Sequence, residues 1–395
     1  MQIIILQYDI ADNRISCKIS TFNPKSVKHR DRVIRALNHQ PVDRPPFQAT
    51  FTPEFADRLR RVYGLPEQFS EPHHREWYGY KLEELTGQDL LQASVGWSTG
   101  YYLKSENYTD EWGVEWKVDP YETPYGVGHY TNIARNPLRN DDAKAMAFKA
   151  PDPHRPEIYD NVRRLVREYG DEYYIIGRIH CTIFESAWAL RGLDTLMTDF
   201  YCDPDLTNHI LDETYGYHKE CAMHLARIGV DMIWLGDDMG AQDAMLIDPD
   251  LWREFFKGRM AEIIRSVKEI KPDIKVAYHS DGCIYDIIPD LIEIGLDVLN
   301  PIQTECMSPE ILADKYGDKL CFFGGMAVQS TLPMGTHEDI ENEYKRLSGS
   351  LGRNSGWICA PTHHVQLDTP MDNFFHMLKT IGCEYVEPVM AEGKP

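Results

Sequence analysis

The chain has 395 residues, with 41 Lys and Arg against 62 Asp and Glu and a formal net charge of −21 at pH 7. Such an excess excludes a nucleic-acid groove or an anionic membrane as the main partner, because both need clustered positive charge. With 43% hydrophobic and 26% charged residues the composition is globular, which excludes disordered and fibrous classes.

The opening Met1-Gln2-Ile3-Ile4-Ile5-Leu6 meets Asp9 and Asp12 at once, too early for the basic start and longer apolar core of a signal peptide. Residues 1–28 carry no clear amphipathic period and are expected to form an N-terminal tail or addition. A first helical pattern covers 30–39. Short apolar runs bounded by turn residues then recur at 46–50, 89–95, 173–179, 231–236, 275–279, 298–302, 320–324 and 357–360. Amphipathic helical stretches at 155–169, 205–228, 249–270, 284–294, 309–316 and 338–351 lie between most of them. Eight strands alternating with helices predict an α/β fold, a single (β/α)₈ TIM barrel over 29–388, with 389–395 as a C-terminal tail. Each parallel return needs a crossover, and a helix supplies it.

One insertion breaks the alternation after the second strand. Residues 97–131 hold nine aromatics, Trp97, Tyr101, Tyr102, Tyr108, Trp112, Trp116, Tyr121, Tyr125 and Tyr130. The alternation across 110–118 predicts a β-hairpin arm, which leaves the barrel on the C-terminal face where loops build active sites. The rings either pack the arm onto the barrel or roof a flat ligand; Trp112 and Trp116 are the candidates for the second role. Nine cysteines are scattered without a C-x-x-C pair, and no apolar run approaches the ~20 residues of a bilayer span. Both features predict a cytoplasmic protein.

The polar ends of the strands carry the candidate chemistry, since barrel strand interiors are filled by apolar layers. Side chains alternate along a strand, so His279 and Asp281 share one face, with Cα atoms ~6.5 Å apart, close enough to grip one metal ion or one proton. His363, at the end of strand eight, faces them as a possible third ligand. Asp237 and Asp238 end strand four and point opposite ways, so one faces the opening and the other is available for helix capping. Glu185 follows strand three, either as a catalytic carboxylate or as a solvent-facing residue of a first helical turn. Arg178, inside an apolar strand, must pair with something, a carboxylate of protein or ligand being the first candidate. Gln303 ends the polar stretch Asn300-Pro301-Ile302-Gln303 as a substrate-binding candidate. Cys359 lies too deep along its strand to join His363.

The segment Arg32-Val33-Ile34-Arg35-Ala36-Leu37-Asn38-His39-Gln40-Pro41-Val42-Asp43-Arg44-Pro45-Pro46 resembles the opening of uroporphyrinogen decarboxylase superfamily barrels. Tyr278-His279-Ser280-Asp281-Gly282, Gly295-Leu296-Asp297-Val298-Leu299-Asn300-Pro301-Ile302-Gln303, Phe323-Gly324-Gly325 and Ala360-Pro361-Thr362-His363 resemble the same superfamily. It contains porphyrinogen decarboxylases and zinc-dependent methyltransferases that serve corrinoid proteins. True decarboxylases carry an arginine-containing motif at the end of strand one, where this chain reads Phe47-Gln48-Ala49-Thr50-Phe51-Thr52-Pro53. A substrate bearing many carboxylates needs fixed cations, and this stretch offers none.

The zinc-dependent members hold their metal with a His-x-Cys on strand five and a Cys near the end of strand eight. By that resemblance His279 matches the histidine, Asp281 replaces the first cysteine and His363 the second. Two thiolates neutralise Zn²⁺, whereas one carboxylate and two imidazoles leave about one positive charge, better suited to polarising an ether or alkoxide oxygen. The resemblance therefore implies a zinc (or other divalent metal) methyltransferase, closer to the corrinoid-dependent branch. It would demethylate a small molecule, for instance an aromatic methyl ether, and pass the methyl group to a corrinoid protein, with Asp237, Asp238 or Glu185 as proton donor or further ligand. It also implies a homodimer. The alternatives are a metal-free decarboxylase, a metal-dependent lyase or hydrolase, and a non-catalytic barrel that captures a tetrapyrrole or corrinoid.

Overall fold

Seven of the eight expected barrel strands are present and parallel. The computed structural model describes residues 3–9, 14–20, 27–66, 80–95 and 107–388, so Trp97, Tyr101, Tyr102 and the 389–395 segment lie outside the described residues. In chain order the strands are β1 (Ile3–Asp9), β2 (Arg14–Ser20), β3 (Leu90–Val95), β4 (Tyr108–Thr109), β5 (Glu115–Thr123), β6 (Gly126–Arg135), β7 (Tyr174–Ile179), β8 (Met232–Gly236), β9 (Lys275–His279), β10 (Val298–Asn300), β11 (Cys321–Met326) and β12 (Trp357–Pro361). β3 and β7 to β12 form one parallel sheet in the order β12-β11-β10-β9-β8-β7-β3. Residues 1–28, expected as a tail without pattern, contain the antiparallel pair β1–β2.

The strands of the parallel sheet are buried on both faces, as strands between an inner core and an outer layer of helices must be. Alternate residues Leu90, Tyr174, Ile176, Met232, Trp234, Ala277, Val298, Cys321, Phe323, Ile358 and Ala360 fill the interior, and Val33 and Leu37 of the helix His29–Leu37 close the end from which the strands start. The opposite parity, including Ile175, Ile233, Leu235, Val276 and Phe322, packs against the helices.

The expected strand at 46–50 is not a regular strand. It touches β12 through the single parallel bridge Phe47–Cys359, with Cys359 N donating to Pro46 O and Gln48 N to Cys359 O. Toward β3 the stretch is joined largely by side chains: Phe47 N donates to Asp89 Oδ2 (2.8 Å) and Ala49 N to Gln88 Oε1 (3.1 Å), beside one backbone bond from Asp89 N to Phe47 O. Pro45 and Pro46 have no N–H to offer a ladder, and the N–H groups of Phe47 and Ala49 are accepted by side chains where strand carbonyls would serve. The seven-stranded sheet is thus curled, with this stretch bonded to both of its edges.

The insertion forms the three-stranded antiparallel sheet β4-β5-β6 and runs on to Arg135. Its base and tip have different surroundings. At the base, Trp112 is buried against Phe148, Tyr217 and His218, and Trp116 is buried beside Tyr108 with its indole N–H on Asp110 Oδ2 at 2.8 Å. At the tip, His129 N and Nδ1 lie on Glu54 Oε1 at 3.1 and 3.0 Å, and the Arg58 guanidinium covers the Tyr125 ring at 4.1 Å. Glu54 and Arg58 belong to the helix Pro53–Val62, which leaves the C-terminal end of the 46–51 stretch. The tip therefore reaches the rim of the mouth while the base packs on the outer helices.

Candidate metal centre at the barrel mouth

β8, β9 and β10 run in register, with Gly236 beside His279 and His279 beside Asn300. Strand parity then sends His279 and Asn300 to the same interior face. His279 Nδ1 lies 2.6 Å from Asn300 Oδ1, while Asn300 Nδ2 donates to Phe323 O at 2.9 Å. With its amide nitrogen engaged on a carbonyl, Asn300 presents only its oxygen, so the proton of the neutral imidazole sits on Nδ1 and the lone pair on Nε2. That Nε2 stands 3.8 Å from both Asp238 Oδ1 and Asp281 Oδ1. Single ligand atoms of His279, Asp281 and His363 all lie within 4.8 Å of one another. The three residues expected to share a metal are therefore brought together.

The loops that carry them are pinned. Asp281 N donates to Asp238 Oδ1 (2.9 Å), Met239 N to Ser280 Oγ (2.9 Å) and Cys283 N to Ala241 O (2.8 Å). Gly240 and Gly282 make this approach possible: a Cβ on Gly282 would stand 2.5 Å from Ala241 O, and one on Gly240 would stand 2.5 Å from Asp281 O. Gly282 also has φ +79°, which favours glycine.

The other expected site residues divide. Asp238 and Glu185 adjoin the triad: Glu185 Oε2 accepts from Asp238 N at 3.3 Å. Burial, together with the charges of Asp238 and Asp237, pushes the Glu185 carboxyl well above its ordinary pKa. Burial and Asp281 push Asp238 up as well, against the opposing pull of His279. Burial lowers the His363 imidazole, although Asp281 works the other way. Asp237 faces outward with the parity of Leu235, accepts from Ile183 N (2.8 Å) and Glu185 N (3.0 Å), and so caps the helix Phe184–Arg191. Burial lifts its carboxyl to about 7 even against those N–H bonds. Its place is structural, which corrects its expected catalytic position.

Arg178 is buried, donates to Gln92 Oε1 at 3.2 Å and lies 4.6 Å from the Trp234 ring, so it is paired within the barrel interior. Gln303 accepts from Gly282 N on its Oε1 at 2.8 Å and so braces the Asp281 loop. Trp112 and Trp116 are packing residues at the base of the insertion and are not brought to the triad.

Two residues of the centre escaped the motif reading. Trp234 stacks on His279 with ring centroids 5.6 Å apart and meets Phe323 edge-on, forming the floor; its indole N–H is buried without a hydrogen-bond partner among the described residues. Asn300 is the other. Register, with parity, was the signal available for both: Trp234 shares the parity of Asp238, and Asn300 pairs with His279. Cys181 also lies near Glu185, but burial pushes its thiol well up, which leaves it an inert thiol.

The family model described as Uroporphyrinogen decarboxylase (URO-D) matches residues 122–382. The chain belongs to the uroporphyrinogen decarboxylase family. Its similarity to the uroporphyrinogen decarboxylase of Coxiella burnetii is 21% identity over 370 residues, 89% of this chain and 94% of that protein. Among solved structures, a methyltransferase from Methanosarcina mazei shares the fold with a TM-score of 0.68 at 19% identity, covering 90% of this chain and 99% of the other. Within this URO-D fold the triad stands at the C-terminal ends of β9 and β12, the end of a barrel where catalytic groups collect. Among the described residues no helix is long and apolar enough to cross a membrane, and the cysteines at 181, 202, 221, 283, 306, 321, 359 and 383 are free.

Proposed function

We propose that this URO-D family member is a metal-dependent methyltransferase: it demethylates a small methylated substrate, an aromatic methyl ether in our reading, and transfers the methyl group to the corrinoid of a partner protein. The observation that carries the reading is the meeting of His279, Asp281 and His363 within 4.8 Å, with Asn300 fixing the His279 tautomer. This donor set fits zinc, which takes imidazole nitrogen and carboxylate oxygen, and a second-shell acceptor on the far ring nitrogen is the usual companion of a ligating histidine. When bound, the metal would supply Lewis-acid polarisation of the oxygen that loses its methyl group.

The protein's own groups have separate tasks. Trp234 offers a flat floor and an unspent indole N–H to a ring-bearing substrate. Asp238 fixes the Asp281 backbone, and Glu185, next to both, is the carboxyl group placed to pass a proton or complete the donor set. At the insertion tip, Tyr125 beneath Arg58 and Tyr121 near Glu54 take the place of Trp112 and Trp116 as the candidate ligand-facing rings. The methyltransferase name of the M. mazei structure agrees with this reading, and the absence of any Lys or Arg in 46–53 weighs against a polyanionic porphyrinogen.

The test is direct. Zinc-loaded protein is mixed with a reduced corrinoid protein and a panel of aryl methyl ethers, and methyl-corrinoid formation is followed by visible absorbance. Zinc-dependent formation is expected; metal-independent CO₂ release from a porphyrinogen, with no methyl transfer, would replace the proposal with a decarboxylase.

Asn300 provides a graded check. Asn300→Ala is expected to weaken zinc affinity roughly 10–100-fold, the usual cost of losing such a partner. Asn300→Asp keeps the acceptor oxygen and should recover most of it. Competition with a chromogenic chelator reads both; equal affinities for wild type and the alanine variant would show that the tautomer is set elsewhere.

A further inference from the structure

A second donor cluster lies on the outer helical layer, beside the base of the insertion, where Arg155 pairs with Glu111. His154, Glu220 and His224 each offer one ligand atom, and these atoms lie within 4.8 Å of one another. Glu220 and His224 are one turn apart on the helix Pro204–Ile228, so they share a face. That helix ends just before β8 begins, which places His224 near the strand N-termini, away from the mouth that holds His279. His154 comes from the loop before the helix Asp160–Tyr169.

We propose that His154, Glu220 and His224 form a second site for a first-row divalent metal of the zinc class, one that staples the 150–159 loop to the Pro204–Ile228 helix. His154 Nδ1 and His224 Nε2 stand 3.0 Å apart. Two imidazole nitrogens on one tetrahedral ion, each about 2.05 Å from it, stand about 3.3 Å apart, so a shift of a few tenths of an ångström admits the ion. The rings meet at 69°, nitrogen toward nitrogen, and the Tyr159 ring backs His224 at 4.9 Å between centroids.

The loop is already folded for the task. His154 N donates to Asp152 Oδ1 at 2.9 Å, Arg155 Nε donates to Asp152 O at 2.9 Å, and Tyr159 Oη donates to Pro153 O at 2.5 Å. Burial, Arg227 and His154 keep His224 below its ordinary pKa, with Arg163 acting the same way and Glu220 opposing. A neutral imidazole is the form that ligates. The nearby Arg227 and Arg163 disfavour a cation, and Glu220 supplies the compensating charge inside the donor set. His154 is exposed, so water has access to the remaining coordination positions.

The proposal does not depend on the reading of the mouth, and the experiment keeps the two apart. Full-length protein is stripped of metal and titrated with Co²⁺ alone, and both bound equivalents and the ligand-field spectrum are recorded. A His279→Ala/His363→Ala double variant should still take up one equivalent and lose it when His224→Ala is added. Uptake in the double variant should also be lost in acid, as protons compete for the imidazole nitrogens. If the His224 change unfolds the helix, His154→Ala removes a ligand from the exposed loop and should abolish the same equivalent. No cobalt uptake by the mouth-deficient variant, or unchanged uptake after either His224→Ala or His154→Ala, would overturn the second site.

Discussion

His279→Ala is expected to remove one zinc equivalent per chain and to lower methyl transfer by well over about 100-fold, since even an outer partner of a ligating histidine is worth roughly 10–100-fold. The effect should be this large because His279 enters three relations at once. Its Nδ1 is bonded to Asn300, its ring covers Trp234, and its Nε2 faces Asp238 and Asp281. Removing it also leaves the carboxylates of Asp281 and Asp238 close together without the imidazole that faces both. Bound zinc measured on protein purified without added metal, beside single-turnover transfer to a corrinoid protein, checks the result. A variant that keeps both its zinc and its turnover would remove the triad from the mechanism.

Asp89→Ala is expected to destabilise the fold by about 3–5 kcal/mol, the range for stripping one partner from a buried ion pair. Asp89 is fully buried and accepts from His29 Nδ1 (2.8 Å), Arg32 (2.6 Å), Arg44 (2.6 Å) and Phe47 N (2.8 Å). Alanine would leave two nearly buried guanidinium groups facing each other and would release the N–H that joins the 46–50 stretch to β3. Burial pushes the Asp89 carboxyl up, but the His29 bond and the charges of Arg44 and Arg32 outweigh it, and its pKa is lowered. A group with a lowered folded pKa contributes fully above its unfolded value near ~3.9 and loses that contribution as pH falls through the folded value. Urea unfolding at neutral pH should show the whole difference between wild type and variant, and in strong acid the two should converge. A gap that persists at low pH would mean the loss lies in packing.

The alternation of apolar runs with amphipathic helices revealed the parallel sheet, because burial on both faces leaves continuous Val, Ile and Leu runs that survive in any context. The 46–50 stretch, Pro-Phe-Gln-Ala-Thr, carries none of those residues and fails as a regular strand: Pro45 and Pro46 have no N–H to donate, and the side chains of Asp89 and Gln88 accept from Phe47 N and Ala49 N where strand carbonyls would. That substitution of side chain for backbone is invisible to periodicity. At the site, i, i+2 spacing placed His279 with Asp281, and strand parity separated Asp237 from Asp238. What spacing alone cannot supply is the lateral register between strands, which is where Asn300 and Trp234 acquire their roles. The aromatic insertion misled in a different way, since ring content does not distinguish a wall that packs on helices from one that meets a ligand. Trp112 beside Tyr217 and His218 is the former.

The glycine contact between positions 240 and 282 constrains how such a protein can diversify. Two backbones that touch without room for a methyl group hold the loops after β8 and β9 together at one point, so a side chain at either glycine would push the Asp281 loop away. The hairpin tip rests on the Glu54 carboxylate and the Arg58 guanidinium, with no such backbone-on-backbone contact to them. Substitutions at 121–130 are therefore separable from the loops that carry His279 and Asp281, and a library confined to that tip would vary the rim while leaving the donor cluster unchanged.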